Sequence, residues 1–201
     1  MRLLLSFLLL CLSLVLSAQA ARTRTRTYIH PGLLHTAADF TRVAHKVKAQ
    51  AEPWKTGFEK LTNNSHSART YGGNPLPIVY RGQGSPQNYA TLYKDIASAY
   101  ALSLRWKISG DVSYARSAMA IVNSWAKTLK SLEGSSDRFL ASGLYGYQFA
   151  NVIEILRTYP AWPKAEFQAA KAMLLNVFYP MNHDFLVRHN GAKVDHYWSN
   201  W

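Results

Sequence analysis

The sequence predicts an all-α protein assembled from antiparallel helical hairpins. Three observations carry that expectation. Apolar residues recur at helical spacing through most of the chain. The links between these stretches are short and marked by Gly or Pro, which sets successive helices side by side and antiparallel. No run joins alternating apolar residues to a hairpin turn, so no strand is expected.

The first twenty residues stand apart from that pattern. Arg2 is a short basic start, Leu3 to Leu16 an apolar run, and Ala18-Gln19-Ala20 a small-residue cleavage site. This reads as a signal peptide spanning 1–20, too short to be a membrane span. Cys11 is the only cysteine, so a chain starting at Ala21 holds no disulfide and rests on packing alone. Residues 21–27 alternate Arg and Thr without apolar anchors, as a solvated basic arm does. The helical domain is expected over 28–201. The sequence stops at Trp201 inside what reads as a helix start, which predicts a domain truncated at its C-terminus.

Within that domain, Tyr28-Ile29-His30-Pro31-Gly32 reads as a turn. Thr36 and Asp39 mark a capped helix start, and Phe40, Val43, Ala44 and Val47 give the helix its apolar face. Trp54, Phe58 and Leu61 continue the pattern. Residues 63–84 then lose periodicity while gathering polar, aromatic and cationic side chains. A loop of that length in a compact domain points to function, and His66, Arg69 and Tyr71 are its lid candidates.

From Ser85 the chain reads as paired helices. Ser85-Pro86 looks like a cap followed by proline at the first helical position. Tyr89, Leu92, Tyr93, Ile96 and Tyr100 mark one face, with Tyr93 and Tyr100 read as packing residues. Gly110 stops that helix and Asp111 caps the next, which carries Ala115, Ala118, Val122 and Trp125. Residues 134–137 read as a loop, with a third helix beginning near Ser142 to Gly146. A fourth carries Phe167, Ala170, Leu174 and Val177 and is expected to end at Pro180.

The formal charge of +12 falls to about +11 without Arg2. A field of that sign attracts acidic polysaccharide, cell-wall polymer or nucleic acid outside the cell. There is no Gly-rich phosphate loop, no H-E-x-x-H, no Gly-x-Ser-x-Gly and no thiol nucleophile. No metal-ligand spacing is evident and no cofactor is called for. Paired carboxylates for glycoside hydrolysis are thin, since Asp184 and Asp195 are the only acids near the terminal cluster.

That cluster offers a different chemistry. Asn190, His196, Tyr197, Trp198, Asn200 and Trp201 mix amide, imidazole and aromatic groups. Cleavage of a uronate polymer by β-elimination needs a neutraliser for the sugar carboxylate, a base for the C5 proton and an acid for the leaving O4. Asn, Gln, Arg or His can stabilise the developing enolate, while Tyr and His can move protons. If residues 195–201 are helical, His196 and Asn200 share a face. Tyr145, Tyr147 and Gln148, beside Gly143 and Gly146, are candidate sugar-binding residues of a groove wall.

Three stretches in order carry a family resemblance: His30-Pro31-Gly32-Leu33-Leu34-His35-Thr36, residues 142–157 from Ser142-Gly143-Leu144-Tyr145-Gly146-Tyr147-Gln148 to Arg157, and His196-Tyr197-Trp198-Ser199-Asn200-Trp201. Together they resemble the alginate-lyase superfamily. The resemblance implies an incomplete (α/α) toroid with a substrate groove at one end. It also implies that His196 and an asparagine, Asn190 or Asn200, neutralise the carboxylate. The family's Asn-His adjacency is absent there and occurs instead at Asn182-His183, ahead of the aromatic cluster. The family's proton-transferring tyrosine comes later in the chain, which leaves Tyr197 or a residue past Trp201.

The expected function is that of a secreted, monomeric polysaccharide lyase acting on an alginate- or glucuronan-type polymer. It requires no nucleic acid, and no membrane once the signal peptide is removed. A non-catalytic binder of acidic glycans and a helical-toroid glycoside hydrolase are the alternatives.

Overall fold

The computed structural model describes residues 27–83 and 86–188. Seven α-helices dominate these residues: α1 (Ala37–Lys48), α2 (Trp54–Asn63), α3 (Tyr89–Ser109), α4 (Val112–Thr128), α5 (Asp137–Leu156), α6 (Lys164–Met173) and α7 (Tyr179–Arg188). The all-α class therefore holds. α3 is the hub, packing against α1, α4 and α5, while α4 also meets α6 and α5 meets α7. The two-residue link between α3 and α4 makes them an antiparallel hairpin.

Local chemistry explains the boundaries. The Thr36 side chain accepts from the Asp39 N–H while Asp39 reaches back to the Thr36 N–H, a complete capping box at the start of α1. Gly110 closes α3 with φ +79, in the left-handed region. The Asp111 side chain then accepts from the Ser113 N–H to open α4. The core fills the space between the helices: Leu92, Ile96 and Leu102 from α3, Ile121 and Trp125 from α4, Phe149 and Ile155 from α5. Phe149 lies edge-on to Trp125 and tilts against Phe178.

The structure corrects the sequence reading at four places. A small parallel sheet exists, pairing β1 (Ile78–Arg81) with β2 (Ser131–Gly134) in the register Arg81 to Gly134. Its strands are four residues each and lie on either side of the α3–α4 hairpin. No hairpin turn announces a parallel pair of this kind. Second, α3 begins at Tyr89 and not at Pro86, because Asn88 accepts from the Tyr80 N–H and donates to the Ile78 carbonyl. β1 thereby sets where the helix can start. Third, α5 begins at Asp137, several residues before the glycines that suggested its start.

The fourth correction concerns Pro180, which does not end its helix. Residues Leu174–Phe178 form a π-helical turn, and the Tyr179 N–H bonds back to the Leu174 carbonyl. Widening the turn immediately before Pro180 relieves the clash its ring would make with the preceding turn of a regular α-helix. The helical path then continues into α7.

Candidate active site

The first and second sequence motifs form one structural unit. The turn before α1 docks on α5 by three bonds. His30 Nδ1 meets Glu154 Oε1, the Gly32 N–H donates to the same carboxylate oxygen at 3.1 Å, and the Leu34 N–H donates to Asn151 Oδ1 at 3.1 Å. Asn151 spends its own amide on the Tyr147 carbonyl at 2.8 Å. His35 Nε2 shares a hydrogen bond with Tyr100 Oη on α3. Burial, with Tyr147 nearby, pushes the Tyr100 hydroxyl up from its usual pKa.

Beside this docked turn lies a mostly apolar cavity of about 630 Å³, lined among others by Leu33, Leu34, Tyr147, Phe178, Tyr179 and Asn182. Asn182 is 3% exposed and its Nδ2 has no partner among the described residues. His183, the next residue, packs at a tilt against Tyr179 and lines a separate basic cleft of about 840 Å³ with Lys130, Arg138 and Arg188. Asn182 and His183 thus open on different cavities although they are adjacent in the chain. Asp184 in the same cleft is ion-paired to Arg188 at 3.2 Å.

Tyr145 and Tyr147 are two residues apart, about 200° around a helix, and the structure separates them accordingly. Tyr147 joins the cavity of Leu33 and Leu34. Tyr145 is 6% exposed and belongs to a cluster with Arg81, Tyr89 and Tyr93. Arg81 Nη1 donates to Tyr145 Oη at 3.0 Å, and its guanidinium carbon lies 4.7 Å from the Tyr89 ring centre. Burial raises the Tyr145 pKa; Arg81 opposes the shift, and the neighbouring Tyr89 and Tyr93 add to it. Gln148 donates to the Leu144 carbonyl at 2.9 Å.

The loop residues are tied to the body of the fold. The Tyr71 hydroxyl donates to Asp95 Oδ1 at 2.9 Å, and His66 packs on the Tyr71 ring. Asp95 is fully buried and also accepts from the Asn74 N–H at 2.5 Å and Trp125 Nε1 at 2.7 Å. Burial, and next the Asp95 carboxylate, push the Tyr71 pKa up to about 12. Arg69 donates to Ser113 Oγ at 3.2 Å and lies over the Tyr114 ring.

His196, Asn200, Asn190, Tyr197, Trp198 and Asp195 lie outside the described residues. Among the described residues, no group of three or more His, Cys, Asp or Glu is placed to hold a metal ion. Sequence reasoning did not single out the Arg81, Tyr89 and Tyr93 grouping. Its one sequence signal was the spacing of Tyr89 and Tyr93, which puts both rings on one flank of a helix. Arg81 joins them only through the parallel sheet.

The family model described as alginate lyase matches residues 37–196, a span that takes in all seven helices and reaches His196. No curated protein and no solved structure matches the chain.

Proposed function

The chain belongs to the alginate lyase family, whose members are polysaccharide lyases acting by β-elimination, and on that premise we propose that it is a secreted enzyme cleaving an acidic, uronate-containing polymer of the alginate or glucuronan type. The observation that carries this reading is the family match across residues 37–196. The basic balance of the chain, +12 overall, suits a polyanionic substrate. Secretion rests on the basic start, apolar run and Ala18-Gln19-Ala20 site. No helix among the described residues is long and apolar enough to cross a membrane.

The proposed reaction runs without added water. His196 and an asparagine, Asn190 or Asn200, donate hydrogen bonds to the uronate carboxylate, so negative charge developing on it is stabilised as the C5–H bond breaks. The electron pair left on C5 forms the C4–C5 double bond while the C4–O4 bond breaks. A base takes the C5 proton and an acid gives one to the departing O4, and Tyr197 is the candidate within this sequence for both transfers. Trp198, Tyr145, Tyr147 and Gln148 are the proposed sugar contacts, with Tyr145 and Tyr147 serving different flanks of α5. His66, Arg69 and Tyr71 form a rim to the groove, and their bonds to α3 and α4 favour a fixed rim over a moving lid.

Three carboxylates among the described residues are engaged in ways that suit structure better than hydrolysis. Asp95 is buried under three donors, Glu154 holds the docked turn, and Asp184 is paired with Arg188. The experiment is to mix the protein with alginate and glucuronan and follow the absorbance of the unsaturated product. Saccharide fragments with no double bond would overturn the lyase reading in favour of hydrolysis. Tight binding with no cleavage would favour a glycan-binding protein.

A further inference from the structure

Arg81 is held in a way that leaves most of its hydrogen-bonding edge without an acceptor among the described residues. Its guanidinium carbon lies over two aromatic rings, 4.7 Å from the Tyr89 centre and 5.8 Å from the Tyr145 centre. Nη1 donates to Tyr145 Oη at 3.0 Å. A guanidinium has five N–H donors in a fixed fork. Among the described residues, no carboxylate pairs with this one and no other acceptor takes its remaining N–H groups.

The backbone beneath Arg81 is fixed by close contact. Gly134 pairs with Arg81 in the parallel sheet and has φ +114; a Cβ there would lie 2.1 Å from the Arg81 carbonyl oxygen. Gly82, the next residue, has φ +111 and sits against Ser135 just as tightly. Side chains alternate across a strand pair. Glu133, paired with Tyr80, therefore projects to the face opposite Arg81, and its carboxylate accepts from Ser131 Oγ. The nearest acid along the sheet is thus turned away from the cation.

Beside the cation stands an open aromatic ring. Tyr93 is 39% exposed, with its ring centre 6.0 Å from Tyr89 and 6.3 Å from Tyr145. A flat apolar face next to a fork whose other N–H groups meet no acceptor among the described residues matches one ligand class well. The C–H face of a pyranose ring packs on the tyrosine, and a carboxylate on that ring takes the fork in a bidentate pair. A neutral sugar would leave the fork unpaired, and a bare inorganic anion would leave the ring uncovered.

We propose that Arg81, braced between Tyr89 and Tyr145 and flanked by Tyr93, is a subsite that binds the carboxylate of one uronate unit of the polymer. This inference rests on the uronate reading above and adds to it a named binding residue outside the terminal cluster. Arg81 is a binding residue here and takes no part in bond breaking.

The test is calorimetric binding to the full chain, using tetrasaccharides of mannuronate, guluronate and glucuronate and the same oligosaccharides after chemical reduction of their carboxylates to alcohols. Arg81→Gln is expected to weaken binding of the preferred acidic tetrasaccharide by about tenfold or more, the loss of one charge-assisted pair. Binding of the reduced tetrasaccharide should be unchanged. Tyr93→Ala should weaken both ligands to a similar degree. In turnover, Arg81→Gln should raise KM while kcat stays within about twofold, the pattern of lost uniform binding.

Arg81→Lys keeps the charge and loses the fork, so it serves if the glutamine variant does not fold; it is expected to weaken acidic binding severalfold. Either folded variant binding the acidic tetrasaccharide with wild-type affinity overturns the subsite while leaving the lyase reading intact. A wild-type protein that binds none of the three acidic tetrasaccharides overturns the uronate reading and the subsite together.

Discussion

His30, in the turn before α1, and Glu154, near the end of α5, form a direct side-chain pair across more than a hundred residues of sequence. The Gly32 N–H shares the same Glu154 oxygen, and Arg157 stands 3.8 Å from the other. The glutamate therefore fastens the turn that brings Leu33 and Leu34 to the apolar cavity. Glu154→Ala is expected to lower stability by about 1–3 kcal/mol, since it strands a half-buried imidazole and a backbone donor. Urea denaturation measures the loss, and a change within error would show that the turn is held by packing alone.

Asp95 is the most consequential carboxylate among the described residues. It is fully buried and accepts from Tyr71, the Asn74 N–H and Trp125 Nε1. Asp95→Ala leaves three donors without their acceptor and should cost about 3 kcal/mol or more. Thermal unfolding followed by circular dichroism checks this. Asp95→Asn, which keeps one acceptor oxygen, should retain part of the loss.

Alkaline pH should loosen the same region. The folded protein holds the Tyr71 pKa at about 12, above its ordinary value of 10.0, through burial and then Asp95. The native state keeps its proton where the unfolded chain releases it. This contribution is fully present below pH 10 and is lost as pH rises through about 12. Tyr71→Phe should flatten the fall of stability across that window. An unchanged slope in denaturation series from pH 9 to 12 would count against the assignment.

Gly134→Ala tests the seating of Arg81. Its φ of +114 is strained for any side chain, and the new methyl would press on the Arg81 carbonyl. A loss of about 1–3 kcal/mol is expected from backbone strain alone. Affinity for acidic oligosaccharides should fall with it, because the strand end carrying Arg81 must shift. A variant as stable as wild type would mean that the two strands can part there freely.

His196→Ala separates catalysis from binding. Loss of a group that stabilises the developing enolate should lower kcat by about a hundredfold or more, with affinity largely kept. Single-turnover rates and calorimetric affinity together decide it. A modest loss of affinity with no turnover in the parent protein would point to a glycan-binding protein.

Much of the architecture was legible because it depends on short-range rules. The Thr36 capping box, Gly110 at the end of α3, Asp111 at the start of α4 and the Ala115 to Trp125 face follow from neighbours within a turn or two. The misses share an opposite cause. β1 pairs with a strand some fifty residues later, so four residues with no alternation give no local sign of it. Asn88 starts α3 because β1 is there to bond. Pro180 stays helical because a π turn precedes it, a distortion that the packing of Phe178 against Phe149 and Gly146 accompanies. In the candidate site, Tyr145 was visible as a polar aromatic in a glycine-flanked motif, but its company was not.

By itself the sequence determined the helical class, the basic balance and the family, whose match over residues 37–196 takes in the whole of the 142–157 motif. Each of these is written in composition, in order along the chain, or in contacts a few residues apart. Only the tertiary structure decided that His30 meets Glu154, that Asn182 and His183 open on different cavities, and that Arg81 lies between Tyr89 and Tyr145. These relations join residues far apart in the chain or turn on which way a helix faces, and both are fixed by how the helices and the short sheet pack together.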